Sequence, residues 1–140
     1  MTKKKARILL AMTLLCGFAT SCLLVGVSLY GGIIDTKNLG ETFAALVATY
    51  SANVALLFGA LQAGKQENGR ASKNGFILAS VSIILWNLLI VSRVAWFAST
   101  AFTSREDSLA RVLEFWTVAG GAASFLVVGP IGFFITKHEL

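Results

Sequence analysis

The side chains from which this 140-residue chain could build chemistry are few: one histidine, two cysteines and seven carboxylates. His138 lies two residues from the end in a basic tail, with no Cys, Asp or second His at ligand spacing, so it builds no metal site. A Ser-His-acid arrangement would have to recruit that same terminal histidine. Cys16 and Cys22 stand about 240° apart around a helix. They cannot pair within one helix, do not make the C-x-x-C of a thiol oxidoreductase, and read as small apolar filler. No glycine-rich phosphate loop is present. These residues point to no catalytic centre, no metal and no cofactor, and the expectation is a protein that is not an enzyme.

The remaining polar side chains of interest lie inside apolar surroundings. Arg93 is the one ionisable residue well within an apolar run, about 9 Å deep if Ser99 marks the run's end. A charge there is costly, though a long side chain can snorkel outward. The carboxylates expected to meet it are Glu41 and Glu114, with Asp35 further off. Its two readings are a structural ion pair, or a ring of positive charge at a pore mouth or anion site. Asn87 lies deeper on the same segment, with Ser80 on its face. Asn53 and Thr49 form a similar pair on the segment before, and Thr13, Gly17, Thr20, Leu24 and Ser28 give a mildly polar stripe on the first. Such groups either bond between helices or line a permeation path.

Small residues form a second constellation. Ser51, Ala55, Gly59 and Ala63 recur every fourth residue, beside a strip of Ala44, Ala48 and Ala52; Gly120, Gly121, Ala122, Ala123 and Ser124 add another cluster. In lipid, small residues let helix backbones approach closely. This pattern fits packing within the chain or contact between copies of it.

The elements that must position these residues are four apolar runs, 6–34, 42–64, 75–99 and 115–136. Each reaches the roughly 20 residues a helix needs to cross about 30 Å of hydrocarbon. Hydrophobic residues make up 56% of the chain, and no stretch between the runs is long enough for a water-soluble domain. The predicted fold is all-α: one domain, an integral membrane bundle of four transmembrane helices, with spans at about 6–34, 42–64, 75–99 and 107–136. The N-terminal segment resembles a signal peptide, yet the apolar run continues past Cys22 through Leu29, so it reads as an uncleaved span. Gly31 and Gly32 should end the first helix, leaving 35–41 as a tight loop. Trp96, Phe97, Phe102 and Trp116 should mark the interface. Ser104 should cap the fourth helix, and Pro130 should kink it.

Charge orients the bundle. Lys3, Lys4, Lys5, Arg7, Lys65, Arg70, Lys73 and Lys137 gather on one side, against Lys37, Arg105 and Arg111 on the other. Short basic loops stay in the cytoplasm, which predicts an N-in/C-in protein of the cytoplasmic (inner) membrane. The basic segments do not interleave aromatics, so the net charge of +5 implies no nucleic acid.

The expected function is that of a small multi-pass protein in membrane lipid that self-associates and acts as a channel, sensor or anchoring subunit. A cytosolic partner would dock on Lys65, Arg70 and Lys73, in the setting of a bacterial antiviral defence or immunity module, for example. The alternative is a small-solute or ion transporter using Arg93 and Asn87. Small multidrug transporters carry a glutamate in the first helix, and none stands between Arg7 and Asp35 here.

Overall fold

A computed structural model of the chain describes residues 2–32, 34, 36–63, 71–100, 105–118 and 124–136; the side chains of 60, 63, 98, 100, 105–109, 135 and 136 lie outside that description. Within it the protein is all-helical: α1 (Lys3–Tyr30), α2 (Thr36–Ala63), α3 (Lys73–Thr100), α4 (Arg105–Val118) and α5 (Phe125–Thr136). The first three have 28 residues each, about 42 Å at 1.5 Å per residue. All three are long and apolar enough to cross a membrane.

Thr2 caps α1, its side chain accepting from the Lys5 amide at 3.4 Å. The helix stops at Gly31 and Gly32, where expected, and Gly32 takes φ +67°, a conformation open to glycine. The amide of Ile34 then donates to the Ser28 carbonyl at 3.2 Å, folding the chain tightly back. The expected loop at 35–41 is shorter than predicted, because α2 already begins at Thr36. Within the fourth expected span, 107–136, the described residues form α4 and α5, and 119–123 lie outside the described residues. Pro130 lies inside α5, which continues to Thr136. Ser104 and Phe102 lie outside the described residues.

α1 packs against α2 and α3, while α4 and α5 each pack against both α2 and α3. In cross-section, α1 thus faces the α4–α5 pair, with α2 and α3 between them. Buried residues follow helical spacing, most regularly Ala79, Ile83, Trp86, Ile90, Val94 and Phe97 on α3. Phe76 and Phe134 meet edge to face at 6.2 Å, so the start of α3 and the end of α5 share one end of the bundle. Of the aromatic residues expected at the interface, Trp116 is 1% exposed in the core and Phe97 is buried too, while Trp96, 49% exposed, is the described member that faces outward.

The outside of the bundle is apolar. Leu9, Met12, Leu23, Val27, Leu85 and Leu88 point away from it, while Ser21, Ser28, Thr42, Thr49 and Asn53 are buried within.

Candidate functional site

Three helices meet at Asn87. Its Nδ2 donates to the Thr13 carbonyl oxygen of α1 at 2.8 Å, and its Oδ1 accepts from the Tyr50 hydroxyl of α2 at 3.2 Å. Gly17 makes the approach possible, because a Cβ at that position would overlap the Asn87 side chain. Phe18 closes the junction, its ring meeting Tyr50 edge to face at 5.3 Å. Both ends of the Asn87 amide are thereby used in joining helices. Small residues that admit a polar side chain, and a polar side chain that bonds across, are the two devices by which helices associate in lipid.

A second junction ties α2 to α4. The Thr49 hydroxyl lies 2.7 Å from the Ala45 carbonyl oxygen of its own helix and 3.2 Å from that of Trp116. One turn further along α2, Asn53 is 0% exposed, and neither its Nδ2 nor its Oδ1 has a partner among the described residues. The indole nitrogens of Trp86 and Trp116 are likewise buried without a partner among the described residues. Most interior hydroxyls behave differently. Ser21, Ser28 and Thr42 donate to carbonyls four residues back in their own helices, at 3.0, 2.8 and 2.8 Å.

The small-residue face of α2 points outward. Ser51, Ala55 and Gly59 are exposed, as are Ala44, Ala48 and Ala52. A Cβ built at Gly59 would meet nothing within 4 Å. Beside this face runs a groove of about 380 Å³ between α1 and α2, floored by Phe18 and Tyr50 and edged by Ser51 and Ala55. Packing among the described residues therefore does not use this face.

Arg93 has no ion pair among the described residues, and Glu41 and Glu114 stand exposed. Its guanidinium carbon lies 4.6 Å from the centre of the Phe115 ring of α4 and 5.5 Å from that of Trp96. The expected carboxylate is thus replaced by aromatic faces, whose quadrupole attracts a cation. Arg93 and Asn87 do not form one site, since Asn87 is engaged in the three-helix junction.

Of the other residues singled out from sequence, Ser124 is half-buried ahead of α5, and its carbonyl oxygen accepts from Val127 and Val128 at 3.0 and 2.9 Å. Lys73 is exposed at the start of α3. Ala63's side chain, Gly120, Gly121, Lys65 and Arg70 lie outside the described residues. Among the described residues no group of His, Cys, Asp or Glu could hold a metal ion. Sequence reasoning missed Tyr50, Phe115 and the burial of Arg7, which is 5% exposed. Compared with known families, curated proteins and solved structures, the chain matches no family model, no curated protein and no solved structure.

Proposed function

We propose that this is a non-enzymatic integral membrane protein that self-associates through the outer face of α2 and serves as a membrane-embedded anchoring or sensing subunit. The reversed arrangement of side chains supports the membrane: apolar residues outside and small polar ones inside fit an apolar surrounding. The observation that carries self-association is the open small-residue face at Ser51, Ala55 and Gly59. It lies on a helix whose other faces are already joined to α1, α3 and α4. A second copy, bringing the same face, would reach close backbone contact there. Because Asn87 and Thr49 are spent on helix junctions, an anchoring role has more support than transport through Asn87. A channel formed between assembled copies belongs to the same proposal, as does a cytosolic partner at the 65–74 connection. The basic clustering supports placement in a cytoplasmic membrane with both termini inside.

Gly59→Leu separates folding from assembly. The position is open in a single copy, so the variant should insert and fold normally. A bulky side chain in a tight contact costs about 1–3 kcal/mol, so the assembled particle should dissociate at roughly tenfold higher protein concentration or more. Particle mass in detergent, measured for both proteins across a dilution series, is the readout. A monomeric wild type would remove self-association, and an unchanged assembly in the variant would remove this face.

A further inference from the structure

Two observations on one side of the bundle join into a site. The first is the geometry of Arg93. The guanidinium carbon lies over the rings of Phe115 and Trp96, at 4.6 and 5.5 Å from their centres. The N–H donors of that group lie in its plane, in a fork that matches phosphate or carboxylate oxygens. No described residue accepts from them. Arg93 is seven residues from the end of α3 at Thr100, about 10 Å by helix rise. From that depth a long side chain reaches toward the headgroup level, where exposed Trp96 also sits.

The second observation is a groove of about 470 Å³ between α3 and α5, lined by Ser82, Leu85, Trp86, Leu89, Leu126 and Val127. Leu89 and Leu85 lie one and two turns below Arg93 on the same helix. The Ser82 hydroxyl, the groove's one hydroxyl, donates to the Leu78 carbonyl at 2.9 Å, leaving an apolar channel open along its length. A cationic fork at the top and an apolar trough beneath it match the two halves of a phospholipid. A free anion would fill the first and leave the second empty.

We infer that Arg93 and the α3–α5 groove bind an anionic phospholipid, with the headgroup phosphate on the guanidinium edge and an acyl chain along Leu89, Leu85 and Leu126. The aromatic rings hold the guanidinium in place beside the groove. This site rests on the membrane reading above, and the two can fail separately.

The test is native mass spectrometry of the detergent-purified protein offered phosphatidylglycerol or phosphatidylcholine, together with alkaline carbonate extraction of the membranes. Wild type should retain phosphatidylglycerol over phosphatidylcholine by about tenfold. Arg93→Met should abolish the preference, and Arg93→Lys, which keeps the charge but not the fork, should recover part of it. Leu126→Trp, filling the groove without touching the charge, should reduce retention of both lipids. Wild type without a preference would overturn the site by itself, whatever the variants do. So would Arg93→Met with the preference intact, or displacement of the lipid by millimolar inorganic phosphate, which would identify a free-anion site. Release by carbonate would instead overturn the membrane reading. Retention in the bilayer with no lipid preference would overturn only this site.

Discussion

Among the described residues, Asn53 carries the least satisfied side-chain amide in the interior. Its amide is fully enclosed and both of its polar atoms lack partners, and an orphaned buried donor or acceptor costs about 1–3 kcal/mol. Leucine has nearly the same size and no such demand. Asn53→Leu should therefore raise the thermal midpoint in detergent, by an amount worth roughly 1 kcal/mol. A lower midpoint would mean that the amide is engaged in the working protein. Asn53, Asn87 and Arg93 are conspicuous in the sequence because a polar side chain in an apolar run stands out. Their surroundings are not. Tyr50 and Phe115 look like ordinary members of apolar helices, and Gly17 matters only because Asn87 approaches it. Arg7 is hidden among neighbouring lysines, which suggest solvation, while the structure buries it.

At the scale of elements, the junction of α1, α2 and α3 is the strongest polar connection described. Asn87→Leu removes both of its bonds and leaves the Tyr50 hydroxyl without its acceptor. Hydrogen bonds between helices in membranes average about 0.6 kcal/mol and reach about 1.7, so the variant should lose roughly 1–2 kcal/mol in a detergent unfolding titration. Tyr50→Phe combined with Asn87→Leu should cost less than the sum of the two single changes, because they share one bond. Strict additivity would show that the bond contributes nothing. Hydropathy located α1 and α3 as apolar runs bounded by glycine or charge, the first expected at 6–34 against a helix of Lys3–Tyr30 and the third at 75–99 against Lys73–Thr100. It read the start of α2 less well: Lys37, Asn38 and Glu41 suggested a loop, yet polar residues are compatible with a helix's first turns. The small-residue periodicity on α2 was plain, but sequence offers no way to tell an inward face from an outward one when both are apolar.

For the whole molecule, the packing of Phe76 on Phe134 brings the start of α3 and the end of α5 together. The proposed topology gathers Lys3, Lys4, Lys5, Arg7 and Lys73 at the same end and places both termini in the cytoplasm. A phosphatase reporter fused after Leu140 should be inactive there, and a fluorescent protein at the same point should light up; the opposite pair of results would reverse the topology. The hydroxyls that donate to their own helices have a consequence in time. Thr13, Thr20, Ser21, Ser28, Thr42 and Thr49 reach their carbonyls before any neighbour arrives. In the proposed membrane setting, each helix can thus leave the translocation machinery as a self-contained unit and wait in the bilayer. Asn87 cannot be provided for in that way, because its partners sit on two earlier helices. The third segment to emerge is therefore the one that fastens the first two, and a nascent chain halted before it would hold α1 and α2 only as a loose hairpin, open to quality-control proteases.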